Sequence, residues 1–171
     1  FGFNGGSALA ANGQAAMAIT VTHLSAAAAS LTWALWERIK FGRASLVGLV
    51  TGTIAGLASI TPASGFVGPV EALAIGGVAG ILCQEAVGLI RTRLRIDDTL
   101  DVFAVHGVGG IFGTIMIAVF GAGTWAAQLA ACAHARAVQR RLQRPRRWVV
   151  ARARDDEDPV GLAQAPARPW R

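Results

Sequence analysis

At 171 residues, with 53% hydrophobic and only 15% charged residues, the chain lacks the polar coat of a soluble domain, which favours the membrane class. Charge is segregated: residues 1–133 carry six basic and six acidic groups, whereas the last 38 residues hold ten arginines and four acids, so the net +6 belongs to the tail. Cys83 and Cys132 stand in or beside apolar runs without CxxC or metal-ligand spacing, which argues against a disulfide framework or zinc site and predicts core residues.

In chain order, a partial apolar helix is expected over about 1–11, followed by four stretches near the ~20 residues a bilayer span requires, at roughly 17–36, 44–61, 70–90 and 101–120. The connections are short and marked by turn chemistry: Asn12-Gly13, ERIKFGR at 37–43, TPASGFVGP at 61–69, RTRLRIDDT at 91–99 and GAGT at 121–124. Such loops make successive helices antiparallel. All six basic residues of the membrane part fall in loops 37–43 and 91–99, so these two face the cytoplasm and the alternate loops face outside. Small residues recur at i+4 as Gly48, Gly52 and Gly56, as Gly76 and Gly80, and as Gly109 and Gly113. Faces of this kind permit close backbone approach, with or without a pore. The chain opens on Phe1 with no basic stretch ahead of an apolar run, so upstream sequence is expected to belong with it.

His106 sits near the middle of DVFAVHGVGGIFGTIMIAVF, where a charge costs at least about 2.5 kcal/mol. It is therefore expected to be neutral, with one ring nitrogen donating and the other accepting. Helical spacing puts Gly110 and Gly113 on its face, which suits a narrow lumen; an interhelical hydrogen-bonding histidine is the structural alternative. The opening FGFNGGSALAANG sets Phe3 and Ser7 one helical turn apart. A π-face attracts a small cation and a hydroxyl oxygen accepts an N–H bond, so the two suit an external cation vestibule. An interfacial aromatic beside a packing serine would carry the same spacing.

FGFNGGSALAANG, AAAASLTWALWE, ITPASGFVGP and LDVFAVHGVGG occur here in an order and spacing that closely resemble the second half of the ammonium transporter (ammonia channel) family, over residues 1 to about 123. The FGFNGGS and ITPASGFVGP wording favours the ammonium transporter branch over the Rhesus-type branch. The resemblance implies an all-α, polytopic transmembrane bundle, part of an eleven-span fold built as inverted repeats. Residues 1–127 then run from the end of span six through span ten to the start of span eleven. It implies that Phe3 is one of two stacked phenylalanines gating the outer pore, Ser7 the serine of the external ammonium recruitment site, and His106 the second of two paired pore histidines. Asp101 matches the acid of the DVFxVHG motif and is read as a capping or packing acid, since five residues from His106 it points to another helix face. His23 lies where the family has a small polar residue and takes no role.

The implied function is ammonium or ammonia transport across the cell membrane by recruitment, deprotonation and conduction past a pore histidine, with no cofactor or metal. A chain with half a pore wall is not expected to conduct unaided. The alternative class is a non-transporting ammonium sensor or a truncated subunit that modifies assembly. An enzyme is disfavoured, for no nucleophile with a paired base, phosphate loop or metal cluster occurs. The resemblance further implies a homotrimer in the lipid bilayer with a PII-type regulatory protein at the cytoplasmic face, although that docking needs a cytoplasmic tail this chain does not match. After TWAAQLAACA, Arg136, Arg140, Arg141 and Arg144 interrupt the apolar run, which predicts that no eleventh helix forms. Residues 128–171 read as an Arg-rich, disordered cytoplasmic tail, of the composition a frame change near 128–134 would produce, rather than as a nucleic-acid-binding segment.

Overall fold

The computed structural model describes residues 1–94 and 101–143, all of whose regular elements are helical. A short α1 (Gly2–Gly6) precedes the long α2 (Gly13–Phe41), then α3 (Leu46–Ile60) and α4 (Pro69–Leu89). A π-helical turn, Ile90–Leu94, prolongs α4, and a second, Phe103–Val108, leads into α5 (Gly109–Val119); α6 is Trp125–Gln143. Two helical stretches, Gly13–Phe41 and Pro69–Thr92, are long and apolar enough to cross a membrane, and Leu46–Ile60 and Phe103–Val119 are shorter apolar helices.

Local chemistry explains the boundaries. Asn12, in extended backbone, caps α2 by accepting from the amides of Gln14 and Ala15 at 3.0 and 3.1 Å. Gly42, at φ 76°, ends that helix in the left-handed conformation that glycine tolerates. Ser45 caps α3 through the Gly48 amide at 2.9 Å, and Pro69 occupies the first turn of α4, where its missing N–H is no loss. With these caps α2 extends beyond the expected 17–36 at both ends, and its last turn carries Arg38 and Lys40, favourable at a helix C-terminus.

The glycine faces pack as their spacing predicts. A Cβ on Gly52 would lie 2.6 Å from the Trp33 Cβ, and one on Gly56 would lie 2.5 Å from the Ser25 carbonyl oxygen, both on α2. On α4, a Cβ at Gly76 would overlap that same Ser25 carbonyl, and one at Gly80 would stand 2.6 Å from the Ala29 oxygen. Thus α2 is held between α3, antiparallel to it, and α4, parallel to it. The Ser25 hydroxyl donates to the Gly56 carbonyl at 3.1 Å across the first interface. One core cluster joins Val21, Ile60, Ala63, Val67, Ala72, Ile75 and Ile117. A second, nearer the C-terminal ends of α2 and α4, joins Trp33, Ala55, Cys83 and Val105.

Three expectations are corrected. The first helix does not run over 1–11: it is confined to Gly2–Gly6, because its glycine-rich sequence favours the helix weakly and the chain then turns through Leu9 at φ 56°. Residues 125–143 do form a helix, although the arginines were expected to prevent one. Arginine, alanine, leucine and glutamine are good helix formers, and it is membrane burial, not helicity, that the charges oppose. Gly113 does not share the face of His106, because it is buried against Ser59 and Pro62 while the imidazole is exposed.

The chain divides into two compact units, Phe1–Ala133 and His134–Arg171. In the second, the described residues are those of α6 from His134 to Gln143, and the expected disordered tail beyond them lies outside the described residues, as does most of the 91–99 loop. Cys83 is a core residue and Cys132 is half-buried; both are free thiols.

Gly76→Ala is expected to lower stability by about 1–3 kcal/mol, since the added methyl meets backbone that cannot rotate away. Gly88→Ala, with open space around its Cβ position, should instead raise it by about 0.5–1 kcal/mol. Unfolding midpoints in detergent check the pair, and a Gly76→Ala chain as stable as the parent would contradict the packing.

Candidate functional site

Phe3 and Ser7 lie at the end of the bundle where α1 meets the segment after α3. The Ser7 hydroxyl donates to the Phe3 carbonyl at 2.7 Å. Its proton is thereby occupied and its lone pairs remain free to accept. Phe3 is 77% exposed, with its ring presented outward. The two residues line a pocket of about 260 Å³ together with Gln14, Thr61, Ser64 and Phe66. Phe66 is a second exposed aromatic at this rim, 65% accessible, which the sequence reading did not single out. The signal available for it was the aromatic of ITPASGF in a loop expected on the same side as Phe3.

Asn4 fixes α1 in place. Its side chain is buried and donates to the Thr22 hydroxyl at 2.9 Å, with a longer 3.5 Å contact to the Thr61 hydroxyl. Both hydroxyls in turn donate to backbone carbonyls of their own helices, Thr22 to Ala18 at 2.6 Å and Thr61 to Leu57 at 2.7 Å. The lone pairs on α2 and α3 therefore face the amide of α1, and a helix of five residues acquires a defined position.

His106 is not part of this pocket. It lies in the π-helical turn Phe103–Val108, whose Ala104 and Val105 are buried at 1% and 2% accessibility while His106 itself is exposed. Short π-helical segments inside apolar helices recur at functional sites because the wider turn re-aims a side chain. Here it removes His106 from the register of Gly113. Gly110 has open space around its Cβ position. His23 is exposed on α2 with its ring 5.5 Å from that of Phe1.

Asp101 lies at the start of the His106 segment with φ 53°, and its carboxylate accepts two bonds from Arg91, from Nε at 2.8 Å and from Nη2 at 2.7 Å. The same end of the bundle carries a second charged group: Trp36 Nε1 and Lys40 Nζ both donate to Glu85 Oε1, at 2.5 and 2.7 Å. Glu37 there accepts from the amide of Ser45 at 2.7 Å. Among the described residues no cluster of histidine, cysteine and carboxylate side chains could hold a metal ion.

Residues 1–143 match the family model described as the Ammonium Transporter Family. The chain is 50% identical over 119 residues to the ammonium transporter Amt1 of Archaeoglobus fulgidus, and 48% identical over 120 residues to a putative ammonium transporter of Methanothermobacter thermautotrophicus. Each alignment covers 70% of this chain and 30% of the relative, so the chain spans less than a third of their length. Among solved structures it resembles Saccharomyces cerevisiae Mep2, at 46% identity and a TM-score of 0.64, covering 68% of this chain and 28% of that one. It likewise resembles a chain described as a sensor Amt protein, at 41% identity and a TM-score of 0.67, covering 69% and 29%.

Replacing Asn4 by Ala should loosen α1 by about 1 kcal/mol, the usual worth of one such hydrogen bond. Amide exchange at Gly5 and Ser7, whose N–H groups bond to Phe1 and Phe3, would then quicken about fivefold. Unaltered exchange would show that Asn4 is not what seats the helix.

Proposed function

The chain belongs to the ammonium transporter family, and from that premise we propose that it forms part of the wall of a pore that conducts ammonia across the cell membrane. The observation that carries this reading is the exposed imidazole of His106 beside a buried Val105, on a segment otherwise apolar. A polar ring facing lipid is expensive, whereas one facing a lumen supplies a donor and an acceptor to a small polar solute. The reading requires a second wall opposite His106, and inverted repeats with the pore between them supply one in folds of this kind.

Ammonium is recruited at the α1 end, where Phe3 offers a π-face and Ser7 an acceptor oxygen. Carrying the ion through an apolar passage would strip its hydration without replacing it. Transfer of a proton from the ion to solvent water at the rim removes most of that penalty, and the neutral ammonia then exchanges hydrogen bonds with the imidazole of His106. Potassium has no proton to lose and is rejected on the same ground. Loops 37–43 and 91–99 face the cytoplasm with the C-terminus, an orientation supported by their basic residues and by the alternating direction of α2, α3 and α4. Exposed Leu31, Leu35, Leu46, Val47 and Val70 suit contact with the bilayer and, in a homotrimer, with neighbouring protomers.

The test is a chimera in which residues 1–123 replace the matching segment of the Archaeoglobus fulgidus relative, expressed in cells without ammonium transporters of their own. Methylammonium uptake is expected in the chimera and should fall by about 10²-fold or more with His106→Ala, in line with loss of a positioned polar group in a dry site. Undiminished uptake in the variant would defeat the assignment of His106 to the pore.

A further inference from the structure

Among the described residues, three points fasten the π-helical turn bearing His106. Val105 is buried in the cluster with Trp33, Ala55 and Cys83. Gly109 lies so close to α3 and α4 that a Cβ there would stand 2.9 Å from the Ser59 hydroxyl and 3.4 Å from the Cys83 sulfur. The third point precedes the turn: the Asp101 carbonyl accepts from the Val105 amide at 2.9 Å, so the conformation of Asp101 aims a carbonyl that bonds into this segment.

That conformation is unusual. Asp101 has φ 53°, in the left-handed region that costs an L-residue energy and persists only where its surroundings hold it. Arg91 braces it: the guanidinium engages both carboxylate oxygens in the fork geometry that lysine cannot reproduce. The Asp101 side chain is only 15% exposed against 54% for Arg91, so the carboxylate is sheltered and fixed while its partner spans from the π-helical turn after α4. From this geometry we infer that Arg91 and Asp101 are positioning residues for His106: the bidentate pair locks the backbone at Asp101 and thereby sets the aim of the imidazole five residues on.

The inference rests on His106 being the pore-facing group, but it concerns the geometry of this chain and is tested without transport. The full chain, labelled at histidine with ¹³C and ¹⁵N and placed in lipid nanodiscs, gives ring signals for His23, His106 and His134, of which His23 on α2 serves as the reference. Arg91→Ala and Asp101→Asn should each displace or broaden the His106 signal, leave that of His23 in place, and quicken exchange of the Val105 amide about tenfold. Asparagine keeps the size and left-handed tolerance of aspartate but not its charge, so an Asp101→Asn chain indistinguishable from the parent overturns the proposal. The double variant should disturb His106 no more than either single one, and additive effects also overturn it. If Arg91→Ala disturbs His23 as well, Arg91→Lys decides: a shift confined to His106 supports the pair, and no shift refutes it. A transport failure in the chimera with His106 still responding to Arg91 would count against the pore and not against the pair.

Discussion

The described bundle depends on how closely two helices approach the backbone of a third. Between Ser25 and Ala29, α2 meets Gly56 of α3 on one side and Gly76 and Gly80 of α4 on the other, and the Ser25 carbonyl lies where a Cβ from either side would collide with it. Apolar side chains gain little by leaving lipid for other apolar side chains, so association of such helices rests on dispersion contacts and hydrogen bonds between surfaces that fit. Glycine supplies the fit, and the Ser25 hydroxyl adds one bond across it to Gly56. The close approach also fixes rotation, because the glycines that admit it, Gly52 and Gly56 on α3 and Gly76 and Gly80 on α4, lie on one face of each helix.

That fixed rotation decides where polar groups can go. With α2 clamped on two sides, Thr22 and Thr61 are brought to one end, where Asn4 joins them, and Trp36, Lys40 and Glu85 are brought to the other. The middle of the bundle is left largely apolar, its buried polar atoms including Ser25 between helices, Ser59 beneath Gly109 and the Gln84 side-chain oxygen. His106 is the exception. Its turn is seated by Val105 and Gly109 on the same α3 and α4 surfaces, so its exposure follows from the packing of its neighbours and not from looseness of the segment.

Much of this was legible in residue spacing. Four-residue glycine intervals identified the packing faces, and short connections marked by turn chemistry gave the alternation of helix direction. Phe3 and Ser7, one turn apart, do share a pocket. What spacing could not reveal was any departure from the 3.6-residue repeat. The π-helical turn at Phe103–Val108 is a change in hydrogen-bond register that leaves no mark on hydropathy, and extrapolating a regular helix through it wrongly joined His106 to Gly113. Helix geometry likewise described Asp101 only by its distance along the chain from His106, while its partner Arg91 comes from the preceding element. The helix at 125–143 rests on helix-forming alanine, leucine, glutamine and arginine, whose charges oppose membrane burial and not helicity, so hydropathy gives no sign of it.

The two ends of the candidate pathway are therefore built on unlike principles. At the α1 end, the groups proposed to recruit the ion belong to a five-residue helix tied down by one buried amide and followed by turns, a construction that leaves Phe3 and Phe66 exposed at a rim. At His106, the segment is held by core packing, by the close approach of Gly109 to the Ser59 and Cys83 side chains, and by a charged fork at its start. A hydrated cation, which must be met by groups able to adjust as water leaves, suits the first. A neutral solute recognised through one donor and one acceptor needs those two atoms in fixed places, and only the second arrangement provides that.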